Sequence, residues 1–554
     1  MRKGTWPAFT ARPYVCGALG PFSADRIAAL RAAGPATQVV YETPDAVLYG
    51  SAPLEPYAPG AFAWGERRPV AGDDRPPSWL RVAEEHETPG LIDGPEQVVL
   101  HAGAFGLVDV YYLEAGGAVY FAGLIEPLLA LARRPYQVNW DAWAAILKLT
   151  YPLLEDTPYR EVRRLPGATA ITWSRARRRI TVDRRAPRWV REEPVDRGVT
   201  AREMVALLHE ALKPYEDRPV LVPVSGGYDS RLLASVAVAR RMDVESWTTS
   251  PDDGLDNDID FARYITRELG IPHRVIPQDP AAYPDEALWT ARRLEYLTSH
   301  HAWYAPFARQ VHAAGRPIVD GLAGGPLMKN FLISSAAVGA ESAAARREAL
   351  LRSLANGEAH LPVLSERAAA WIDERVREAF GRATSMLRGH RAELPLSVLH
   401  TRTARGIARS PVNLVGPEVT PIFPFLHPEF FDAALSVPVT RKEGGRFYRE
   451  ILQAANPRVA ALPSTNVPLL PNRRVPLRSG GPAAREWSHR MLRRVAAVEG
   501  LLSEEMLRVV ADGPDALTAF RSWNSRFWLR GLVLFGAWLA DYEDLLGDLT
   551  PPWA

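Results

Sequence analysis

The chain runs Val220-Leu221-Val222-Pro223-Val224-Ser225-Gly226-Gly227-Tyr228-Asp229-Ser230 and continues as Arg231-Leu232-Leu233-Ala234-Ser235-Val236. A short apolar run, a Ser-Gly-Gly-x-Asp-Ser loop and a helix-forming segment follow one another without interruption. The order predicts a buried strand, an anion-cradling loop and a helix N-terminus. The glycines let backbone approach an anion closely, the first helical amides and the helix dipole favour negative charge, and the serine hydroxyls can donate to phosphate oxygens. The loop lacks the Lys-Ser/Thr pair of a Walker A motif. A carboxylate at Asp229 makes sense beside phosphates if Mg²⁺ lies between them.

Downstream, strand and helix signals alternate. Val244-Glu245-Ser246-Trp247-Thr248-Thr249 reads as a second strand and Pro317-Ile318-Val319-Asp320 as a third. Between them, residues 256–269 read as a helix with Ile259, Ala262, Ile265 and Leu269 on one face, Gly270 as cap and Pro272 as breaker. Such an order implies a parallel sheet with ligands at the carboxyl ends of its strands. Upstream, short β-like segments at 97–101, 107–113, 118–122 and 168–173 are separated by glycine-containing turns. Residues 183–199 are charged, interrupted by proline and without apolar period, which makes them the expected domain boundary.

The 554 residues suffice for two or three domains with large cores. A net charge of +2 predicts no general attraction to nucleic acid or to membranes. One cysteine, Cys16, excludes internal disulfides and cysteine-rich metal sites. No signal peptide opens the chain, and the apolar stretch 527–539 is too short to span a bilayer and contains Arg530. It reads as a packed helix, and the chain as a cytoplasmic protein.

Ser225-Gly226-Gly227-Tyr228-Asp229-Ser230 resembles the pyrophosphate loop of the N-type ATP pyrophosphatases, in the form used by the asparagine synthetase superfamily. That superfamily includes the β-lactam synthetases and the lasso-peptide macrolactam cyclases. The resemblance implies an α/β chain in two parts. Residues 1–190 would be a degenerate glutaminase-like domain, an α+β sandwich of Ntn-hydrolase type. Residues 200–554 would be a parallel-sheet α/β ATP-pyrophosphatase domain with a helical C-terminal part. Gly103-Ala104-Phe105-Gly106 and Leu165-Pro166-Gly167 are similar to the second half of the glutaminase domain.

In glutamine-dependent members the nucleophile is an N-terminal cysteine whose own α-amine is the base. Cys16-Gly17-Ala18-Leu19-Gly20 is similar to that opening but begins at residue 16. Either a propeptide is removed to expose Cys16, or the glutaminase is a relic. Glutamine-site signatures have no match before residue 100; Leu48-Tyr49-Gly50-Ser51 stands roughly where one of them belongs.

The resemblance assigns ATP and Mg²⁺ as cofactors. It places Ser225, Gly226, Gly227, Asp229 and Ser230 on pyrophosphate, with Asp229 as a magnesium ligand, and the adenine near Trp247-Thr248-Thr249, hence Thr248. The family's Gly-Glu-Gly-x-Asp-Glu reads Gly321-Leu322-Ala323-Gly324-Gly325-Pro326 here, with Leu322 and Gly325 in place of acids. Asp320, one residue earlier, is the expected substitute as catalytic group and second metal ligand. Tyr296, His300 and His301 are further candidates for contacting substrate or phosphate. Pro421-Ile422-Phe423-Pro424-Phe425-Leu426-His427 resembles a family motif that ends in Asp, with His427 in its place. The family lysine that stabilises charge as the amine attacks falls, by strict spacing from Arg449, on Gly445. Arg446 or Lys442 is expected to reach the same pocket. Leu462-Pro463-Ser464-Thr465-Asn466 matches the Leu-Pro that follows, without the usual lysine-rich continuation.

The implied activity is that of a carbon–nitrogen ligase forming AMP and pyrophosphate. It would adenylate a small-molecule or peptide carboxylate and join it to an amine, as in a lasso-type macrolactam cyclase working on a precursor peptide beside a leader protease. Ammonia-dependent asparagine synthesis is one alternative; a nucleotide-binding paralogue with little or no turnover is the other.

Overall fold

A computed structural model describes residues 13–64, 78–131, 135–249, 257–357, 359, 362–466, 480–520 and 523–554. The chain divides into two compact units. One comprises Met1–Trp143, Pro152–Glu192 and Tyr542–Thr550, the other Ala144–Tyr151, Glu193–Asp541 and Pro551–Ala554.

The first unit is built on eleven strands among its described residues: β1 (Val15–Leu19), β2 (Gln38–Thr43), β3 (Ala46–Gly50), β4 (Ala61–Ala63), β5 (Gly90–Asp93), β6 (Gln97–His101), β7 (Tyr111–Ala115), β8 (Ala118–Ala122), β9 (Arg163–Arg164), β10 (Thr169–Ser174) and β11 (Arg179–Arg184). They form two antiparallel sheets, ordered β2-β3-β1-β8-β7-β9 and β11-β10-β6-β5-β4. Val15, Leu48, Val119 and Phe121 of the first sheet share one buried core with Phe62, Leu91, Leu100 and Ile171 of the second, a sandwich. The β7–β8 hairpin turns on Gly116 and Gly117, both at positive φ (64° and 81°), the geometry a two-residue turn requires.

One expectation needs adjustment here. The strand predicted from residue 107 starts only at Tyr111, because the preceding backbone is bound by side chains. The Glu87 carboxylate accepts from the Phe105 amide at 2.6 Å and the Leu107 amide at 2.7 Å, and Asp109 pairs with the buried Arg164 at 2.6 Å. The division after Glu192 falls within the run 183–199, which carries secondary structure of its own. β11 extends to Arg184, Arg188–Arg191 form a helical turn, and Trp189 stacks on Phe105 at 4.6 Å.

Cys16 lies inside β1, paired with Tyr49 and Ala122, and is fully buried. Burial pushes its thiol up to about 11, so the nucleophilic thiolate is scarce at neutral pH. Iodoacetamide at pH 8 is therefore expected to alkylate Cys16 of the native protein at least ~100-fold more slowly than in the urea-unfolded chain. Equal rates, read by intact mass, would show an accessible, activated thiol.

The second unit centres on a five-stranded parallel sheet: β12 (Val220–Val222), β13 (Val244–Thr249), β14 (His273–Ile276), β15 (Ile318–Val319) and β16 (Pro421–Ile422), in the order β14-β13-β12-β15-β16. Its helices include α1 (Tyr228–Ala239), α2 (Asn257–Leu269), α3 (Ala305–Ala314), α4 (Gly324–Met328), α5 (Glu366–Ala383), α6 (Pro428–Ser436), α7 (Arg446–Ala455), α8 (Pro482–Val495) and α9 (Trp523–Tyr542). On α2, Ala262 and Ile265 are buried while Ile259 and Leu269 are half-buried, and Gly270 follows with φ 67°. Asp256, the expected first residue of that helix, lies outside the described residues. One sheet face is covered by Phe307, Ala308 and Val311 of α3 with Leu414, Val415 and Val419. The stretch 527–539 is part of α9, and no helix among the described residues is long and apolar enough to cross a membrane.

The strand order fixes where a ligand can sit. From the central β12 the chain proceeds to β13 and β14 on one side, then returns to lay β15 and β16 on the other. The loops leaving β12 (residues 223–227) and β15 (residues 320–323) flank this switch point, where parallel α/β sheets place their ligand crevice.

Candidate nucleotide site

The loop after β12 is shaped by its own serines. The Ser225 amide donates to Ser230 Oγ at 3.0 Å, the two hydroxyls lie 3.2 Å apart, and the Gly227 amide donates to Ser225 Oγ at 3.2 Å. Gly226 cannot be larger, since a Cβ there would stand 2.7 Å from Thr465 and 3.0 Å from Asp258. Its amide donates to Asp258 Oδ1 at 2.8 Å. Gly227 then caps α1, whose first amides have no intrahelical acceptor and point from the loop. Thr248 is not available in the way expected. It is buried, and its hydroxyl donates to the Val224 carbonyl, so it pins the loop to β13.

Arg231, which the motif reading passed over, holds the loop from beneath. It is fully buried, has no carboxylate partner among the described residues, and its guanidinium donates to the carbonyls of Gly226 (2.9 Å), Gly227 (3.0 Å), Val459 (3.3 Å), Leu462 (3.1 Å) and Pro463 (2.6 Å). Ser464 Oγ and the Thr465 amide also donate to the Gly226 carbonyl, at 2.9 and 3.0 Å. The Leu-Pro segment is thereby strapped across the loop. Its continuation beyond Asn466 lies outside the described residues.

Asp229 stands at the crevice. Its Oδ1 accepts from the Tyr448 hydroxyl at 2.7 Å, and its Oδ2 takes Lys329 Nζ at 3.0 Å. The opposite wall packs onto it closely: a Cβ on Gly321 would lie 2.8 Å from Asp229 Cβ, and one on Gly324 only 2.4 Å from Oδ1. Asp320 accepts from the Leu322 amide at 2.8 Å, and burial, with the charge of Asp229 added, pushes its carboxyl up to about 6.

The described residues contain no group of three or more His, Cys, Asp or Glu placed to hold a metal. Two neighbouring carboxylates are nevertheless what Mg²⁺ takes from protein when phosphate oxygens and water complete its shell. Asp229 and Asp320 fit a magnesium ion on those terms. Leu322 is buried, and a Cβ on Gly325 would face Phe331 at 3.1 Å and Lys329 Cε at 3.5 Å, so an acid there would meet the ammonium of Lys329.

The expected cationic residues are not beside Asp229. Arg446 is the exposed first residue of α7. Lys442 is 1 % exposed, and its Nζ donates to the Ala434 carbonyl of α6 at 2.7 Å. Lys329 fills the place instead. A Cβ on Gly445, the position the resemblance gives to a lysine, would stand 3.7 Å from Lys329 Cβ. Lys329 also donates to Asn466 Oδ1 at 2.7 Å. The available sequence signal was a lysine one helical turn after Gly325, at the end of the loop leaving a central strand.

The other candidates have structural positions. Tyr296 donates its hydroxyl to Asp541. His301 is buried between the Gly406 carbonyl (2.9 Å) and Ser410 Oγ (2.8 Å). His427 precedes α6.

Burial lowers the Lys442 ammonium to about 7 from its ordinary 10.5. The unfolded chain then binds the extra proton between these values, so this group's contribution to stability rises with pH from 7 towards 10.5. Lys442→Met should stabilise the protein at pH 7, on the order of 1–3 kcal/mol, and flatten the pH dependence above it. Urea midpoints of both proteins from pH 6 to 9 check this; an unchanged slope would refute it.

No protein-family profile matches the chain, and no curated protein sequence does. Among solved structures, NMN synthetase from Francisella tularensis aligns with 22 % identity and a TM-score of 0.17 over 23 % of this chain and 56 % of that protein. The aligned part is thus little more than half of that synthetase, and a likeness of this degree assigns neither fold nor activity.

Proposed function

We propose that the chain is an ATP-dependent amide synthetase of the asparagine synthetase superfamily, acting without glutamine. The observation that carries this reading is the Ser-Gly-Gly-Tyr-Asp-Ser loop at the carboxyl end of β12, at the switch point of the sheet, with Asp320 and Lys329 facing Asp229.

In the proposed reaction a substrate carboxylate oxygen attacks the α-phosphorus of ATP and pyrophosphate leaves. An amine then attacks the acyl carbon, AMP leaves, and the amine gives up a proton. The loop 225–230 and the N-terminus of α1 hold the pyrophosphate oxygens. Asp229 and Asp320 would hold magnesium, which neutralises phosphate charge. Lys329 supplies a fixed positive charge where negative charge builds up on the phosphate and on the oxygen of the tetrahedral acyl intermediate. With Cys16 neutral and buried in β1, the amine comes from the substrate itself or from free ammonia; macrolactam closure of a precursor peptide of the lasso type is the form we favour, with ammonia-dependent asparagine synthesis second.

A second reading, a nucleotide-binding paralogue without turnover, draws support from Leu322 and Gly325 where acids are expected. Pyrophosphate release from ATP and Mg²⁺ in the presence of acidic peptides separates the two. Release that requires both the peptide and Asp229 is the expected result; ATP binding without release under any acceptor leaves the paralogue.

A further inference from the structure

Beside the nucleotide site the chain builds a second cationic feature that the synthetase reading does not use. Residues 399–407 are a π-helix, Leu399–Ile407, a form that is rare outside functional sites. From it Arg402 projects over the ring of Phe331 at 5.4 Å. Phe331 is 44 % exposed, although apolar, and the residues on either side of it, Asn330 and Leu332, both have positive φ (51° and 64°). Left-handed backbone at two non-glycine residues costs on the order of 1–3 kcal/mol each, which marks a turn held for a purpose. The Asn330 side chain, donating to the Val439 carbonyl at 2.7 Å, helps hold it.

Charge around Arg402 is uncompensated. Among the described residues no carboxylate pairs with it, and burial lowers its guanidinium. Tyr151, the group whose charge would favour it, is held protonated by burial, and the imidazole of His300 is kept neutral by burial and by the charges of His301, Arg402 and Arg530. His300 stacks on Phe527 at 5.4 Å, and its Nδ1 is buried with no hydrogen-bond partner among the described residues. A guanidinium without its anion, a donor-capable ring nitrogen without its acceptor and an exposed aromatic face together describe a site that lacks its ligand. The Phe331 ring also meets Lys329 Nζ at 5.8 Å, so the feature is continuous with Asp229.

We propose that Arg402, His300 and Phe331 form a carboxylate-binding subsite that anchors an unreacting carboxylate carried on an aromatic or bulky apolar body. Arg402 takes the carboxylate, His300 donates from a ring nitrogen, and Phe331 stacks on the body. The role as a substrate anchor rests on the proposed synthetase function; the existence of the subsite does not.

The test is calorimetric titration of the full chain with benzoate, acetate and inorganic phosphate, without nucleotide. Benzoate is expected to bind at least tenfold tighter than acetate. Arg402→Gln should weaken benzoate binding tenfold or more, Phe331→Ala threefold or more, and Arg402→Lys should retain part of it. Phe331 is exposed, so its variant reports even where a change at Arg402 harms folding. Absence of benzoate binding, unchanged binding in Phe331→Ala, or phosphate binding as tight as benzoate would each overturn the proposal. A chain that binds benzoate in this way yet never releases pyrophosphate would sink the synthetase reading and leave the subsite standing.

Discussion

Asp229→Ala should lower pyrophosphate release by a factor of at least ~10³, about 4 kcal/mol of transition-state stabilisation. The carboxylate is the point where three elements converge on the crevice: α1 supplies it, Tyr448 donates to Oδ1 at 2.7 Å, and Lys329 pairs with Oδ2 at 3.0 Å. Removing it takes away a ligand for magnesium, leaves Tyr448 without its acceptor and leaves Lys329 with Asn466 alone among the described residues. That loss is expected to cost on the order of 1–3 kcal/mol of stability as well, so a dead Ala variant alone does not separate chemistry from folding. Asp229→Asn does. It keeps the volume that Gly321 and Gly324 pack against and an oxygen for Tyr448, while it removes the charge and puts an amide NH₂ where Lys329 now finds an acceptor. Equal loss of pyrophosphate release in both variants, with the Asn protein melting within a few degrees of wild type, is the expected outcome. Full activity of Asp229→Asn would mean that the carboxylate holds the loop together and binds no metal.

The strand, loop and helix around residues 220–239 were legible because each local preference agrees with the others: an apolar run, two glycines, and a helical segment directly behind them. The sandwich of the first unit was legible for the same reason, through short alternating segments punctuated by glycine turns. What the sequence concealed is long-range. Lys329 follows a loop whose own motif is eroded, and only the fold brings its ammonium to Asp229 and Asn466, residues 100 and 137 positions away. Lys442 and Arg446 have the right charge and nearly the right spacing. Yet a short helical turn buries the first under α6, and helix periodicity turns the second outward. Nothing local marks Arg231 as a buried strut, because three of the five carbonyls that hold it come from residues 459–463, 228 or more positions away. Spacing along a chain reports which residues share a face, and it carries no information about which faces meet.

That displacement makes Lys329 the sharper test of mechanism. Lys329→Met is expected to slow overall amide formation by roughly 10²–10³, the range for losing one preorganised charge in a reacting site. ATP affinity should fall by less than tenfold, because the loop amides and the α1 dipole still face the phosphates. A thioether in place of the ammonium keeps the side chain's length against Tyr228 and Tyr448, whose rings lie 5.7 and 5.6 Å from Nζ. The loss is therefore one of charge. If Lys329 has taken over the place of a lysine expected at residue 445, the charge should be movable. Gly445→Lys in the Lys329→Met background restores an ammonium from a backbone position whose Cβ points at Lys329 Cβ from 3.7 Å. The positive φ of Gly445, 70°, costs a lysine there on the order of 1 kcal/mol, so the double variant should regain about tenfold of the lost rate rather than all of it. A Lys329→Met protein within threefold of wild type would place the charge-stabilising group elsewhere. A double variant no faster than the single one would confine the role of Lys329 to its ion pair with Asp229, since only charge delivered into the crevice can be supplied from either wall.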